Sequence, residues 1–323
     1  MYTADIAKKL LFDPIKMGAD HLCILSAHAT PAMASWLLKS YDEQNISGIS
    51  IELIIGTTVD EGISVAYHEG FKKLHGNRYS NNSGNFSCSY IYNQPALQNN
   101  VYVWLKNGIP VCAFSGELEF TQNSFLQNLH ETIQESSALE MYTVFEEAVR
   151  RSAYCTYSEI EEDIIIYQSP VNKNSQTDTI GGQNRIVLSL LTSRGNETGK
   201  RSGLNWGQRN KRNKNEAYIP LPSKIAKSGF FPLNKQHFIV LTDDHCALLL
   251  RIEQQNDKAI TTPASNAQLG EYFRKRLELN NGAYVHVQDL LAYGRTDVTF
   301  YKIDDEQFYM DFSVEKEFKK DGR

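Results

Sequence analysis

Long apolar segments are absent from this 323-residue sequence. No apolar run approaches the ~18 residues that a membrane-spanning helix requires. The first residues, Met1 to Asp5, contain no basic region followed by an apolar stretch, which is the pattern of a secretory signal. The sequence therefore predicts a protein without a transmembrane segment or a recognisable export signal, and we expect it in the cytoplasm.

Cysteine is scarce as well. The five cysteines are odd in number and widely spread, and most lie in apolar, strand-like contexts: Cys23, Cys88, Cys112, Cys155 and Cys246. Such a set is typical of reduced core residues rather than of a disulfide framework. No pair of cysteines has the spacing of a zinc site, and the scattered histidines do not supply the missing ligands. The sequence therefore predicts no metal site.

What the sequence does contain is a globular composition and an uneven distribution of charge. Hydrophobic residues make up 41% of the chain and aromatic residues 11%, which fits a folded protein with a sizeable core. The formal net charge is -5, yet between Arg185 and Lys227 ten basic residues accompany only Glu197 and Glu216, a local net charge of +8. An acidic protein that concentrates cations in one segment usually presents that segment to an anion, and nucleic acid is the first candidate.

The densest part of this segment runs from Lys200 to Lys214. Four amide side chains lie among its cations: Asn205, Gln208, Asn210 and Asn213. Attraction to phosphate needs only lysine, whereas arginine and amide side chains have the paired donors and acceptors that read base edges. The composition therefore indicates sequence reading as well as charge attraction. A solvated, disordered charge run is the alternative, and Trp206 and the following Tyr218 to Pro222 weigh against it.

The length is enough for two ordinary domains. In the first half, helical periodicity predicts helices at Asp5–Ile15, Pro31–Leu38, Gly62–Leu74 and Met141–Arg151. Buried strands are predicted at Leu22–Leu25, Ile51–Gly56, Ser87–Tyr92, Val101–Leu105, Val111–Ser115 and Ile164–Tyr167. Asn107-Gly108 favours a tight hairpin turn. This alternation predicts an α/β fold for the first half.

A composition change marks the boundary between the halves. Ser169 to Gln183 is rich in Pro, Asn, Ser, Thr and Gly and lacks apolar periodicity, so we predict a first domain over residues 1–170, a linker over 171–183 and a second domain over 184–323. In the second domain, short strands are predicted at Ile186–Leu191, Phe238–Leu241, Cys246–Arg251, Ala283–Val287, Val298–Ile303 and Gln307–Phe312. With one helix around Gly270 to Leu277, this pattern predicts a mostly β, barrel-like domain.

Four segments of the second half carry a family resemblance: Ser202–Arg209, Glu216–Pro222, Leu269–Arg274 and Tyr293–Tyr301. Through them, most of Arg185 to Ser313 resembles the C-terminal domain of the NgoFVII-type restriction endonuclease family. The resemblance implies the pseudobarrel fold that this family shares with the N-terminal domain of EcoRII and the plant B-three domains. It also implies specific binding to double-stranded DNA, with two arms that grip the major groove.

By this resemblance, the first arm lies within Lys200 to Arg212 and the second near Thr242 to His245. The DNA-binding residues predicted on this basis are Lys200, Arg201, Ser202, Asn205, Trp206, Gln208, Arg209, Arg212, Asp243, Asp244 and Arg295.

Some of these residues have two interpretations. Asp243 and Asp244 either accept a hydrogen bond from cytosine N4 or form a turn between two strands. Arg295 either binds DNA or pairs internally with Asp297. The two arginines of the predicted helix are interpreted as ordinary surface charges: Arg274 and Arg276.

The first half matches the same family in five segments: Ile24–Ser26, Pro31–Trp36, Ile51–Gly56, Tyr102–Gly108 and Phe120–Asn123. It resembles the family's N-terminal domain, a phospholipase D-like nuclease. In that superfamily a histidine of an H-x-K element attacks phosphorus, its lysine steadies the phosphoryl oxygens, and a G-S-x-N element supports the same phosphate. The resemblance implies that two protomers pair, that each supplies one histidine, and that no metal cofactor is needed.

The catalytic pattern breaks in this chain. The H-x-K positions read Gln98-Asn99-Asn100, and the G-S-x-N positions read Gly116-Glu117-Leu118-Glu119. Gln98 cannot act as a nucleophile, Asn100 carries no charge, and the two glutamates place anions where phosphate must bind. We therefore expect no intact catalytic residue, and cleavage that is impaired or lost.

Other candidate catalytic residues in the first half have less support. Glu117 and Glu119, with Asp60 or Glu61, offer oxygen ligands for a divalent cation as a minor alternative. The remaining histidines considered as nucleophiles are interpreted as structural or exposed: His68, His75 and His130.

These observations together predict a type II restriction endonuclease family protein that recognises a short, specific double-stranded DNA sequence through its second domain. Two alternatives stay open: a protein that cuts DNA through a relocated site or with a helicase-like ATPase subunit, and a catalytically inactive, dimeric DNA-binding or regulatory protein. The resemblance further implies a homodimer formed through the first domain and a companion methyltransferase, with no membrane partner.

Overall fold

The computed structural model of the protein describes residues 5–76, 85–127, 131–171, 184–192 and 195–314. The chain divides into two compact units, Met1–Ser169 and Pro170–Arg323. Apart from Val171, the predicted linker lies outside the described residues. In the described part of the chain, no helix combines the length and apolar character needed to cross a bilayer.

The first unit is built on an α/β sheet. Its described strands are β1 (His21–Ser26), β2 (Ser50–Ile55), β3 (Ile63–Ser64), β4 (Phe86–Ile91), β5 (Asn100–Lys106), β6 (Ile109–Gly116), β7 (Ile133–Ser136), β8 (Ser152–Tyr154) and β9 (Ile166–Tyr167). Seven of them form one sheet in the order β7-β6-β5-β1-β2-β4-β8, and β3 pairs separately with β9. The central strands β1, β2 and β4 are parallel, and β5 runs antiparallel to β1.

Four of the seven described helices of this unit begin at a residue whose side chain caps them. They are α1 (Ile6–Leu11), α2 (Asp13–Lys16), α3 (Pro31–Glu43), α4 (Val65–Leu74), α5 (Gln122–Leu126), α6 (Ala138–Val149) and α7 (Ile160–Asp163). Thr30 caps α3, because its hydroxyl accepts a hydrogen bond from the Met33 amide at 3.1 Å. The single helix predicted from Asp5 to Ile15 is wrong: it is divided into α1 and α2, since Pro14 cannot donate the amide that would continue the first helix.

The sheet register brings four chain segments to one edge. Leu25 at the end of β1 pairs with Val101 near the start of β5, and Asn100 pairs with Gly116 at the end of β6. The segments that follow β1, β2 and β6 therefore lie beside the segment that precedes β5. The predicted hairpin between β5 and β6 is confirmed, with Asn107 at φ 52 and Gly108 at φ 78 in its turn.

The second unit is a nearly closed, mostly β barrel, as predicted. Its described strands are β10 (Arg185–Ser189), β11 (Ile219–Pro220), β12 (His237–Thr242), β13 (Ala247–Glu253), β14 (Ala259–Thr261), β15 (Asp297–Lys302) and β16 (Gln307–Asp311). They form one sheet in the order β10-β15-β16-β12-β13-β14-β11, and its two edge strands, β10 and β11, contact each other. Helices α8 (Ser223–Ala226), α9 (Ala267–Arg276) and α10 (Val287–Tyr293) and a 3-10 helix, Gly203–Gln208, complete the unit.

The strand predicted over Ala283 to Val287 is wrong. Residues 283–286 form no strand, and Val287 begins α10. A capping box explains the helix start. The Asp289 carboxylate accepts a hydrogen bond from the His286 amide at 2.7 Å, and the His286 side chain accepts one from the Asp289 backbone amide. Apolar and polar residues alternate in this stretch as they would in a strand, but Val285 is its only buried residue.

Candidate functional site

The four positions of the broken catalytic pattern lie together at the sheet edge described above. Asn100 is the first residue of β5, and Glu117 and Glu119 follow β6. Gln98 precedes β5, and its amide nitrogen donates a hydrogen bond to Glu61 Oε1 at 3.4 Å. Glu61 in turn belongs to the segment that follows β2. The fold thus retains the convergence that the family's chemistry needs, although the side chains differ.

His28 lies at the centre of this edge, two residues beyond β1. Its Nδ1 lies 2.7 Å from Glu119 Oε1, and its Nε2 lies 2.7 Å from Glu61 Oε2. Both ring nitrogens can donate at once only in the imidazolium form. The hydrogen bond to Glu119 is the main cause that raises the pKa of His28 to about 9, against the effect of burial and with a further contribution from Glu61. The hydrogen bond between His28 and Glu61 lowers the pKa of Glu61. His28 is therefore a cation at neutral pH.

Reasoning from the sequence did not single out His28. The family motifs direct attention to the start of β5 and the end of β6, and His28 belongs to neither. A general signal was available: in α/β sheets, functional groups gather just beyond the carboxyl ends of parallel strands, and His28 follows the buried strand β1 directly.

Asn100 joins neighbouring strand ends at this edge through hydrogen bonds. Its amide oxygen accepts hydrogen bonds from the Ser26 hydroxyl at 2.9 Å and the Ala27 amide at 3.0 Å, and its nitrogen donates to the Glu117 carbonyl at 3.2 Å. Asn100 is buried. Asn100, which is predicted to occupy the lysine position of the family motif, is thus an internally satisfied amide that fastens the end of β1 to the end of β6.

The protonation of His28 limits the chemistry of this edge. A protonated imidazole has no lone pair for attack on phosphorus. Two carboxylates, those of Glu61 and Glu119, contact a single imidazolium. Because Glu61 and Glu119 bond to opposite nitrogens of His28, the ring separates the carboxylate oxygens that a divalent cation would have to share.

The other candidate histidines have structural partners. His68 is buried, with Nε2 3.1 Å from Glu161 Oε1, and His75 Nδ1 accepts a hydrogen bond from the Cys88 amide at 3.1 Å. Their structural interpretation is confirmed, and His130 lies outside the described residues.

In the second unit, we name residues 200–214 the basic arm. Its six cations are exposed: Lys200, Arg201, Arg209, Lys211, Arg212 and Lys214. Within the same arm, the residues at the start of the 3-10 helix are buried, Leu204 and Asn205 among them. The arm therefore has a charged outer side and a base that packs into the unit.

Two buried polar side chains anchor that base. Asn205 is fully buried, and its amide both donates to the Val285 carbonyl and accepts from the Val285 amide, each at 2.8 Å. Arg274 of α9 is also fully buried, and its guanidinium donates to the carbonyls of Ala283 at 2.8 Å, Gly270 at 3.1 Å and Leu204 at 3.3 Å. The interpretation of Arg274 as a surface charge is wrong, because the carbonyls of the arm and of the loop before α10 need an internal donor.

A close backbone approach completes the anchor. A Cβ atom on Gly270 would lie 1.7 Å from the Asn215 carbonyl oxygen, so only glycine allows α9 to pack against the end of the arm. The Asn215 side chain accepts a hydrogen bond from the Gly282 amide at 2.6 Å. Residues on both sides of the exposed cations are therefore fixed.

The remaining residues predicted on the arm are partly ordered by local contacts. The Arg212 guanidinium lies 4.1 Å from the centroid of the Trp206 ring and pairs with Glu216. Gln208 donates to the Gly282 carbonyl at 3.0 Å, and Arg209 Nε donates to the Arg201 carbonyl at 2.9 Å. Ser202 is half-buried and directly precedes the 3-10 helix, whereas Lys200 is exposed.

The residues predicted on the second arm are occupied by internal ion pairs. Asp243 lies in the turn between β12 and β13, and its carboxylate receives two hydrogen bonds from Arg276, at 2.7 and 3.0 Å. Asp244 also pairs with Arg276, at 3.1 Å. Both Asp243 and Arg276 have only 12% of their side chains exposed. The interpretation of Arg276 as a surface charge is wrong, because Tyr293 and Phe312 flank its guanidinium.

Arg295 is held internally. Its Nε lies 3.0 Å from Asp297 Oδ1, Nη1 lies 3.2 Å from Asp311 Oδ1, and Nη2 donates to the Thr299 hydroxyl at 2.6 Å. Of the two interpretations of Arg295, the structure shows the internal pair.

The folds and these two sites define a class of protein, in which a phospholipase D-like unit is joined to a barrel with an exposed basic arm. The comparisons with known proteins agree. The model of the NgoFVII restriction endonuclease N-terminal PLD domain matches residues 4–162, and that of the NgoFVII C-terminal B3-like DNA-binding domain matches residues 178–304. The chain belongs to the NgoFVII restriction endonuclease family, and its second unit is a DNA-binding domain.

Among solved structures, the chain is similar to NucT from Helicobacter pylori, with 11% sequence identity and a TM-score of 0.30. That similarity covers 47% of this chain and 92% of NucT. The comparison with curated proteins gave no match.

The His28 contacts predict a specific pH dependence. Replacing Glu119 by Gln removes the main cause of the raised pKa, so we expect His28 to titrate nearer its ordinary value of about 6.5 in this variant. The measurement is an NMR titration of the His28 ring protons. Glu117→Gln is the matched control, because Glu117 bonds to Thr132 and not to His28. A parent protein whose His28 titrates near 6.5 would contradict the assignment.

The same contacts predict the sign of a stability change. Because the folded pKa of His28 is raised, its stabilisation is fully present below about pH 6.5 and is lost as the pH rises through about 9. After discounting for the partial exposure of all three side chains, we expect Glu119→Gln to lower the free energy of unfolding at pH 6 by about 1 kcal/mol. Urea denaturation at pH 6 and pH 10 should show this difference only at the lower pH.

The anchor of the basic arm predicts a second stability effect. Arg274→Met removes the donor to the Ala283 and Leu204 carbonyls, so we expect a loss of about 3 kcal/mol in the free energy of unfolding. Lys275→Met is the matched control on the same helix, since Lys275 is exposed and its loss should cost less than about 0.5 kcal/mol. Urea denaturation measures both changes. Hydrogen exchange in residues 200–215 should become faster in Arg274→Met alone, and unchanged exchange there would refute the anchor.

Proposed function

We propose that this protein recognises a short, specific sequence of double-stranded DNA through its second unit and does not cleave DNA by the phosphohistidine mechanism. The observation that supports recognition most directly is the basic arm, which holds six exposed cations on a buried polar base.

Electrostatics favours DNA as the ligand of the arm. The whole chain has a formal net charge of -5, so a general attraction to polyanions is not expected, and binding must come from the local concentration of cations. Each cation that contacts a phosphate releases counterions, which gives affinity that falls with salt concentration. Because Asn205, Arg274 and Gly270 fix the base of the arm, less conformational entropy is lost when the arm binds.

The contacts divide the candidate DNA-binding residues into two groups. Arg201, Lys211 and Asn210 are exposed on the arm and are the residues we propose for contacts with bases and phosphates. Asn205 holds the arm in place, and Arg295 is engaged within the barrel. Trp206 stacks with Arg212, and we propose that it orients this guanidinium.

DNA binding by the arm is testable by substitution. We expect Arg201→Ala and Lys211→Ala each to weaken binding to the preferred duplex, by about 1–3 kcal/mol where the side chain reads a base. The salt slope should fall by about 1 for each phosphate that the variant no longer neutralises. The preferred duplex is first selected from a random-sequence pool, and fluorescence anisotropy over a range of salt concentrations measures the affinity.

Lys8→Ala is the matched control for charge, because it removes one exposed cation from the first unit. Its affinity should equal that of the parent. Binding that is indifferent to both arm substitutions would refute the proposed interface, and selection that yields no preferred sequence would refute specific recognition.

The absence of phosphohistidine cleavage is supported by the sheet edge of the first unit. Gln98 replaces the nucleophile, and loss of a nucleophile costs on the order of 10⁶ in rate in a well-studied protease. His28, which lies nearby, is held as a cation by Glu61 and Glu119. We propose that the unit serves as a scaffold for the DNA-binding unit, and that two copies of the chain pair through it.

A plasmid assay tests this part separately. We expect supercoiled plasmid to remain uncut with and without Mg²⁺, at the level seen with His28→Ala. Discrete fragments that disappear in His28→Ala would make His28 the nucleophile instead. Fragments that persist in that variant would indicate a relocated site, and either result would contradict the proposal.

A further inference from the structure

We propose that His21, Cys23 and Glu52 form a binding site for Zn²⁺, or for a divalent metal ion of the same borderline softness. Each of these residues offers one ligand atom, and the three atoms lie within 4.8 Å of one another. This cluster lies in the first unit and does not depend on DNA binding.

The site follows from strand geometry. His21 and Cys23 are two residues apart on β1, so their side chains point to the same face of the sheet. Glu52 pairs directly with Cys23 in the parallel register of β1 and β2. The three ligands therefore come from adjacent positions on two central strands of the sheet, whose backbones are rigid.

The nitrogen of His21 that faces this cluster makes no hydrogen bond with any described residue. Its Nε2 is buried, and within the described part of the chain it has no hydrogen-bond partner. Glu52 Oε1 is 3.6 Å away, which is too far for a hydrogen bond. It is close to the separation of about 3.3 Å between two ligand atoms that bind tetrahedral zinc at about 2.0–2.1 Å. A bound metal ion would satisfy the buried nitrogen, which otherwise destabilises the fold.

Charge and ligand type favour zinc over magnesium. A Cys23 thiolate and a Glu52 carboxylate together carry the two negative charges that balance a divalent ion, and neutral His21 completes the set. Sulfur and imidazole ligands select zinc, whereas magnesium prefers oxygen ligands. When the ion binds, the Cys23 S–H bond breaks, an S–metal bond forms and the proton leaves to solvent.

The ligands of this site differ in their exposure to solvent. Cys23 is 1% exposed, and burial, with a smaller contribution from Glu52, raises the pKa of its thiol. The site is open on the Glu52 side, where that side chain is 46% exposed. Three protein ligands and one open direction leave the fourth position for water.

Cobalt is the probe for this site, because Co²⁺ reports both thiolate ligation and geometry in its absorption spectrum. The full-length protein, treated with a chelator and a thiol reductant and then dialysed, is titrated with Co²⁺. We expect one equivalent to produce a thiolate-to-metal charge-transfer band and the visible bands of four-coordinate cobalt. Zn²⁺ should displace the cobalt, and millimolar Mg²⁺ should leave the spectrum unchanged.

Substitutions assign the ligands. Cys23→Ala should abolish the charge-transfer band, and His21→Ala and Glu52→Gln should weaken Co²⁺ binding at least about tenfold, because loss of even a supporting residue has an effect of that size. Cys112→Ser is the matched control, since Cys112 also lies in the sheet of the first unit but outside the cluster. Circular dichroism establishes that each variant is folded.

Two results would overturn the site: no charge-transfer band in the parent protein, or a band that persists in Cys23→Ala. If Cys23→Ala fails to fold, Glu52→Gln decides, because its exposed side chain can change without repacking the core. Unchanged cobalt affinity in a folded Glu52→Gln would also refute the three-ligand set.

Discussion

The hydrogen bonds of one buried guanidinium determine where the charged surface of the second unit lies. Arg274 joins α9 to the 3-10 helix of the basic arm and to the loop before α10, through the carbonyls of Leu204 and Ala283. Neither carbonyl belongs to a strand or an α-helix, and the Arg274 side chain supplies each with a donor. The exposed cations of residues 200–214 are consequently the outer side of a fixed element, although their sequence alone resembles a disordered charge run. Recognition of a DNA groove requires such fixed geometry, because each base contact depends on its position within a fraction of an ångström.

In the first unit, strand order sets the arrangement of the sheet edge independently of the side chains on it. The convergence of the segments after β1, β2 and β6 depends on strand order and register, which the catalytic side chains do not control. The edge therefore does not depend on which side chains occupy it. The carboxylates of Glu61 and Glu119 would repel each other, and the imidazolium of His28 between them offsets that repulsion. We interpret His28 as the compensation that allows Glu61 and Glu119 to coexist at this edge.

The sequence predicts what depends on local pattern and misses what depends on long-range contacts. The α/β and barrel classes and the Asn107-Gly108 turn follow from periodicity and turn chemistry, and the structure confirms them. A solvated interpretation of Arg274 and Arg276 follows from the usual exposure of charged residues on an amphipathic helix, whereas here the Leu204 carbonyl and Asp243 require them. Leu204 is 70 positions from Arg274 and Asp243 is 33 positions from Arg276, so no short window along the chain reveals these partners. Asn205 shows the same limit, since its partner Val285 is 80 positions away.

The spacing rules for zinc sites fail to indicate the His21–Cys23–Glu52 cluster for a related reason. Those rules describe loops, in which ligands come close through a tight turn, whereas a strand brings residues two apart onto one face and adds a third ligand from its neighbour. This cluster lies at the start of β1, and His28 lies beyond its end. At about 3.3 Å per residue, the strand from His21 to Ser26 alone spans roughly 17 Å. An ion at His21 is thus too distant to act on a phosphate at His28, and its effect would be to join β1 to β2 at the opposite end of the sheet.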